Sequence, residues 1–466
     1  MSLQPSDLAA LLVALTLLLV AAHAVGRVFT VLRQPPVIGE ILAGLLFGPT
    51  VLGLVAPHAQ ALLFPTTGPV AVGLGVLNEL GLLLLMFLAG REVPAYRGGS
   101  ANRSVLAMAV TGLTIPFAIA LLAVQAVDYR TFSGVHGTKV TFALVFGMGI
   151  AVTSIPVISR IMLDLNVMRT AFARTVLSVA LLEDVVLYVA LAAILGLTQA
   201  KSGSVFGLWS LFHQNATGPT TAYYLVTSLV FFSILMPLGR PIFGRLARSR
   251  LNFVERRSPT AFRLVFLLAL VLVCVFLGLN PIFGAVLAGV ASGGADDRDA
   301  DESRRVRSAQ AWDALKKVSL ALFIPLYFAG VGLRIDLVHH LTVLFFVLFL
   351  LLACVAKSAS VWLGARLAGE SNRSALDFAV ALNARGGPGI VLATVTLAAG
   401  VINEDFFTVL VLLSIVTSEF AGLWLQHVSV PRLVIEEESE DHDDAEPPAR
   451  RKPLHRAGSR PDAGAP

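Results

Sequence analysis

Apolar runs of about 20 residues recur along nearly the whole chain, separated by short gaps in which charges, prolines and glycines gather. As a helix, such a run crosses roughly 30 Å of hydrocarbon. Splitting the chain at those gaps predicts thirteen spans. They fall near residues 7–30, 36–55, 71–90, 103–126, 138–161, 171–199, 221–244, 261–279, 281–293, 312–333, 341–365, 375–400 and 405–428. The predicted fold class is an all-α membrane protein of about 13 transmembrane helices. Beyond residue 430 the pattern stops: an acidic block, Glu436 to Glu446, precedes a Pro/Arg-rich stretch ending at Pro466. Residues 431–466 cannot bury a core and are expected to form a disordered, solvated tail behind a membrane domain spanning 1–430.

Composition supports this division. Of 466 residues, 56% are hydrophobic and 14% charged, and the mean hydropathy is +0.79, so a bilayer is the solvent. The net charge of +5 does not imply a nucleic-acid partner, because the basic residues flank the spans. With the N-terminus outside, 23 of them fall on the cytoplasmic side against four on the other, Arg130, Lys139, Lys201 and Arg334. That bias predicts a multi-pass protein of the inner (plasma) membrane with a cytoplasmic C-terminus and lipid as its surroundings. The first run carries Asp7 and no positive flank before it, which argues against a cleaved signal peptide. Cys274 and Cys354 lie inside apolar runs, so neither a disulfide framework nor a transition-metal site is expected.

The pattern repeats. The second span opens Pro36-Val-Ile-Gly39-Glu-Ile-Leu-Ala43-Gly44 and the ninth opens Pro281-Ile-Phe-Gly284-Ala-Val-Leu-Ala288-Gly289, both P-x-x-G-x-x-x-A-G. Phe87-Leu-Ala-Gly90 in the third has a counterpart in Phe328-Ala-Gly330 of the tenth. Seven spans separate each pair, an odd number, so the two halves enter the membrane in opposite directions, as in the inverted repeats of secondary transporters. The same offset pairs two interrupted spans, Thr153-Ser154-Ile-Pro156 in the fifth and Arg385-Gly-Gly-Pro388-Gly in the twelfth. Proline lacks a backbone donor, so such segments favour unwinding, and crossed half-helices bring ends of both signs to one place. The alternative for each is a packing kink.

Charge within the spans sharpens the picture. Glu183 and Asp184 lie near the middle of the sixth span, too deep to snorkel. Two adjacent carboxylates at that depth cost several kcal/mol unless water, a cation or protons reach them, which marks an ion or proton pathway. A carboxylate that must choose between a proton and a cation is a minimal antiporter. Lys357 sits well inside the eleventh span with no acidic residue on its own helix, and Asp184 and Glu183 are its candidate partners. Secondary candidates are Glu40, near a helix N-terminus that favours an anion; Arg385, holding carbonyls of the broken helix; Asn383; and Glu419, the repeat counterpart of the Glu183–Asp184 region. His23 alone reads as packing.

Gln34-Pro-Pro-Val-Ile-Gly-Glu-Ile-Leu-Ala-Gly-Leu-Leu-Phe-Gly-Pro49, Thr153-Ser-Ile-Pro-Val-Ile-Ser-Arg160, Phe323-Ile-Pro-Leu-Tyr-Phe-Ala-Gly-Val-Gly-Leu-Arg334 and the Glu183–Asp184 pair together resemble the monovalent cation:proton antiporter superfamily. The resemblance is to its Kef-type and NapA-like branch and covers roughly residues 7–428. It implies a 13-span homodimer of NhaA/NapA-like fold, with a dimerisation domain and a six-helix core that moves by an elevator-like step. It also implies that Asp184 is the essential cation- and proton-binding aspartate, that Lys357 is the core lysine pairing with it, and that Thr153, Ser154 and Pro156 form the first unwound crossing segment.

Two departures qualify the resemblance. Glu183 stands where the superfamily usually has Asp, Asn or Gln, so the family's association of that position with electrogenic or electroneutral exchange does not transfer. Nor do the residues after 430 carry a Gly-rich phosphate-binding turn, so nucleotide gating of the Kef kind is not expected. The function expected is exchange of Na⁺ or K⁺ for protons by alternating access, with no cofactor. An organic-solute carrier or a non-transporting sensor on the same scaffold is the alternative. An enzyme is not expected, for the sequence holds no Cys/His cluster, no His-Glu-x-x-His and no Gly-x-Ser-x-Gly.

Overall fold

The computed structural model describes residues 4–32, 34–92, 103–154, 158, 162, 167, 170–202, 217–249, 252–279, 281–293 and 302–429. Each of the thirteen expected spans falls on helix. The principal helices are α1 (Pro5–Val31), α2 (Pro36–Phe47), α3 (Gly68–Glu92), α4 (Arg103–Ala123), α5 (Lys139–Ala151), α6 (Ala171–Ser202), α7 (Thr217–Arg248) and α8 (Pro259–Phe276). They continue with α9 (Pro281–Ser292), α10 (Glu302–Val318), α11 (Ile324–Leu333), α12 (Val343–Ala368), α13 (Asn372–Ala381), α14 (Gly387–Ala398) and α15 (Glu404–Trp424). Nine stretches of the described residues are long and apolar enough to cross a membrane, and α5, α9 and α14 are shorter apolar helices. Local chemistry sets many of the ends. Pro36 and Pro259 occupy first-turn positions, the side chains of Thr138 and Asn403 cap α5 and α15, and Gly369 closes α12 in the left-handed region.

Three expected spans differ in shape. The second breaks at Gly48, after only 12 helical residues. The tenth begins ten residues before its expected start, as the polar helix α10, and runs into α11 through a π-turn at Ser319–Phe323. Hydropathy sees the apolar part of that rod alone. The twelfth splits into α13 and α14 around Leu382–Gly386, as expected. In the fifth, α5 stops at Ala151 and the chain is unwound through Ser154; Pro156 lies outside the described residues.

The helices pack as two bodies. One gathers α1, α2, α3, α8, α9, α10 and α11; the other gathers α4, α5, α6, α12, α13, α14 and α15; α7 lies against α9 of the first and α6 of the second. In the first body the repeat is visible atom by atom. A Cβ on Gly39 of α2 would stand 2.7 Å from Val25 O of α1, and one on Gly284 of α9 would stand 2.7 Å from Leu270 O of α8. Five residues on, Gly44 of α2 lies against Ala329 of α11, while Gly289 of α9 lies against Phe87 and Gly90 of α3. Each repeat thus lends its P-x-x-G-x-x-x-A-G helix to the other, and glycine is required because backbone meets backbone.

In the second body a cluster of phenylalanines fixes the outer half of α5. Phe142 and Phe146 pack on Phe406 of α15 (5.0 and 6.0 Å between centroids) and Phe146 on Phe349 of α12 (4.8 Å). The C-terminal end of α5 is thereby delivered to the interior, where the next segment crosses the break between α13 and α14.

Candidate functional site

The two unwound segments are tied to each other through polar groups that helix would have consumed. Ser154 N–H donates to Ala384 O (2.8 Å) and the Thr153 hydroxyl donates to Leu382 O (2.5 Å), with Ser154 and Thr153 both fully buried. Half-helix α5 therefore ends in the interior with its last carbonyls exposed to the crossing, and these carry the negative end of the helix dipole.

Two buried cations answer them. Arg385, from the break after α13, sends Nε to Gly149 O (3.1 Å) and Nη2 to Ile150 O (2.7 Å) and Ala353 O (2.9 Å), while Nη1 donates to Asn383 Oδ1 (2.6 Å). Arginine's fixed fork suits a site where several acceptors converge. Arg385 does hold carbonyls, but those of the other broken helix as well as Asn383 of its own. Asn383 orients Arg385 and is itself buried.

Lys357, on α12 and fully buried, finds one acceptor for each of its three ammonium protons: Ala151 O (2.6 Å), Gly112 O (2.9 Å) and Glu183 Oε1 (2.7 Å). Gly112 O is available because Pro116, four residues on in α4, has no N–H to offer it. Gly112 also makes room for the pair, since a Cβ there would come within 3.0 Å of Glu183 Oε1. The resemblance implied a Lys357–Asp184 pair; the structure forms Lys357–Glu183 instead, because Glu183 is the carboxylate on the face of α6 turned to α4 and α12.

The acceptors left unsatisfied are specific. Glu183 Oε2 and Asp184 Oδ1 are buried and accept no hydrogen bond from the described residues. The Thr153 hydroxyl lies beside Glu183 but gives its proton to Leu382 O. A buried carboxylate oxygen without a donor is costly unless a proton or a cation occupies it. The arrangement therefore offers two buried acceptors without a described donor on neighbouring residues of α6, one of whose carboxylates, Glu183, is held by a lysine at the crossing of broken helices.

The secondary candidates stand apart. Glu40 is in α2 of the first body, and its Oε2 is buried and accepts no hydrogen bond from the described residues. Glu419, in α15, is only partly buried and its Oε1 likewise lacks a described donor. His23 donates from Nε2 to Ala321 O (2.9 Å), tying α1 to the π-turn. Gly112, Pro116 and the carbonyls of Gly149, Ile150 and Ala151 are not predicted from sequence. Pro116 is the signal that could have found them, for a proline inside an apolar helix frees the carbonyl four residues before it. Among the described residues no group of three His, Cys, Asp or Glu side chains is placed to hold a metal ion.

Comparison with known proteins places the chain in a family. The family described as sodium/hydrogen exchanger, transmembrane, matches residues 14–430. The chain is 28% identical over 406 residues to the Na(+)/H(+) antiporter NhaS4 of Synechocystis, covering 85% of this chain and 92% of that one. It is 27% identical over 420 residues to K(+)/H(+) antiporter 1 of Saccharomyces cerevisiae, covering 86% of this chain and 44% of the yeast protein. The fold is like that of the sodium proton antiporter MjNhaP1 from Methanocaldococcus jannaschii, with a TM-score of 0.60 over 92% of this chain and 99% of that one at 17% identity. With two broken helices crossing beside paired carboxylates, and nearly the whole membrane region matched, the chain belongs to the sodium/hydrogen exchanger family.

Proposed function

We propose that the crossing of the two broken helices is where this cation/proton exchanger trades a monovalent cation, Na⁺ or K⁺, for protons. Asp184 is the exchanging carboxylate. Glu183 is its partner, and Lys357 is the coupling group that holds Glu183 while no cation is bound. Thr153 and Ser154 supply oxygens at the edge of the site, and Arg385 with Asn383 keeps the end of α5 in place. The observation that carries this reading is the pair of buried carboxylate oxygens, Glu183 Oε2 and Asp184 Oδ1, that no described donor satisfies. A cation entering there competes with protons for Asp184 and with Lys357 for Glu183, so occupancy by one ion drives release of the other.

Two bodies joined by few elements suit alternating access. The body carrying Glu183, Asp184 and Lys357 rocks against the other, with α7 as the tether lying on both. The same reading makes the first body the dimerisation surface of a homodimer, lipid-facing elsewhere. It also puts the protein in the inner (plasma) membrane with its N-terminus outside and the tail cytoplasmic, as the 23-to-4 distribution of basic residues supports. Neither an organic-solute carrier nor a non-transporting sensor is favoured.

The test is proton release in proteoliposomes loaded with a pH-sensitive dye, adding Na⁺, K⁺, Li⁺ and Rb⁺ in turn to wild type and Asp184→Asn. Dequenching with one or more of these in the wild type alone supports the assignment and identifies the ion. A correctly folded wild type silent across the pH range, or an Asp184→Asn variant as active as wild type, overturns it.

A further inference from the structure

The last described turn of the second body lies at an end that also carries four exposed arginines. Val105 of α4, Phe172 and Ala173 of α6, Ala365 of α12, Ala375 of α13 and Leu425, just past α15, form one buried cluster. Within two residues of Val105, Ala173, Ala365 and Ala375 stand Arg103, Arg174, Arg366 and Arg373, all exposed. Arg103 Nη2 reaches Leu367 O (3.4 Å) and Arg366 Nη1 reaches Glu370 O (2.5 Å), so both belong to one surface. Among the described residues the negative groups at this end are Glu370, whose carboxylate takes the Ser104 hydroxyl (2.7 Å), and Asp377, buried against Trp424 (3.2 Å). The described part of this surface is therefore net positive, and the last described turn, Leu425–Ser429, packs at the same end, against α13 and through Leu425 into the same cluster.

The residues beyond that turn are opposite in sign. Glu436 lies seven residues past Ser429, and eight of the residues from Glu436 to Glu446 are acidic. Seven residues reach at most about 25 Å, enough to turn back on that surface but short enough to keep the block close to it. We propose that the acidic segment Glu436–Glu446 docks on the Arg103–Arg174–Arg366–Arg373 surface of its own chain. Charge complementarity and the position of the last described turn select this occupant. Tethering gives it an advantage that a free anion lacks.

Docking also places negative charge where cations enter. Arg174 and Glu183 share α6 and are nine residues apart, about 14 Å along the axis. An uncovered arginine surface at that distance repels an approaching cation, and the acidic segment removes that repulsion. This effect on entry rests on the exchange reading; the docking itself does not.

Cysteine capture in the full-length protein tests the docking separately from transport. Ser439→Cys in the acidic block is combined with Asn372→Cys beside Arg373, or with Gln310→Cys on the basic helix α10 of the other body, and treated with a water-soluble bismaleimide. Both native cysteines lie within the spans. At low salt, capture at Asn372→Cys is expected to exceed that at Gln310→Cys by about fivefold and to fall at least about threefold at roughly 0.5 M choline chloride, where the Debye length is near 4 Å. Equal capture at the two positions, or capture indifferent to salt, overturns the docking. Capture that vanishes in vesicles rich in anionic lipid assigns the arginines to headgroups instead. Capture lost on neutralising Arg450, Arg451 and Lys452 assigns the block to the tail's own basic stretch; both outcomes overturn the proposal. Neutralising the eight acidic residues should raise the apparent constant for the cation about two- to threefold at low salt and leave it unchanged at high salt; no change at low salt overturns the role in entry.

Discussion

The two bodies treat the internal repeat differently. In the first, Gly39 and Gly284 meet a neighbouring backbone at the same 2.7 Å, and Gly44 and Gly289 each lie against the Phe-Ala-Gly helix of the other repeat. In the second the same pseudo-symmetry sets unlike groups opposite one another. One broken helix brings Thr153 and Ser154 to the crossing and the other brings Arg385; α6 carries Glu183 and Asp184 where α15 carries Glu419; α12 carries Lys357 where α4 offers the bare carbonyl of Gly112. Packing is indifferent to which repeat supplies a helix, so symmetry survives where packing is the whole task. Charge is not, because a cation at one broken end requires an acceptor at the other. Where the repeats diverge is where the proposed exchange site lies.

The sharpest test is to remove charge from both repeats. Asp184→Asn should abolish cation-driven proton release and shift the melting temperature by less than about 4 °C, since its Oδ1 has no described donor to lose. Glu419→Gln should retain most of the exchange, and its loss would mean that the two repeats share the chemistry. Lys357→Ala leaves Glu183 buried without its cation and should cost about 3–5 kcal/mol in thermal unfolding. Adding Glu183→Gln should return at least about 2 kcal/mol of that. Strict additivity of the two substitutions would deny the ion pair.

Arg385→Ala is the next largest. It uncaps the Gly149, Ile150 and Ala353 carbonyls in a dry interior and should cost about 2–4 kcal/mol. Arg385→Lys should recover part of it, because a single ammonium cannot span the same set of acceptors. Recovery to the wild-type melting temperature would show that charge alone, without the fork, holds the end of α5.

Much of this is legible in the sequence, and the limits have physical causes. The thirteen spans, the repeated P-x-x-G-x-x-x-A-G and the break at Arg385–Gly389 are local signals, and each has its counterpart in the structure, the break lying three residues earlier, at Leu382–Gly386, and the tenth span starting ten residues early. Glu183, Asp184 and Lys357 stand out because ionisable groups at that depth are costly. Which carboxylate Lys357 takes is not legible, for the choice depends on the rotation of α6 against α4 and α12, and the two bonded residues lie 174 positions apart. Nor can Arg385 be assigned its carbonyls, 235 and 236 residues away. The early start of α10 escapes because its first turns are polar and hydropathy registers only apolar helix.

The symmetric body yields a smaller and matched effect. Gly44→Ala and Gly289→Ala each force a methyl against backbone and should each cost about 1–3 kcal/mol, equal within error. Gly75→Ala, where nothing lies within 4 Å, should cost nothing measurable. A loss at Gly44 alone would break the equivalence of the two packing seams.

The smallest effect lies in the loop between the bodies, at Asp336. Its partial burial raises the carboxyl, but N–H groups of His339 and Val338 and the His339 ring more than offset this, and the group is held below its ordinary value. The sign is set by the carboxylate being the bonded form: its contribution is complete above the unfolded value near 4 and is lost as pH falls through the lower folded value. Asp336→Asn should therefore flatten the acid limb of a melting-temperature profile and leave the neutral plateau only slightly lowered. The Leu337 N–H and Ile335 O on either side are fixed to the Thr50 hydroxyl of the first body, while His340 is paired with Asp405 of the second. A change that extended to the plateau and slowed exchange would show that this turn, rather than α7 alone, couples the two bodies during exchange.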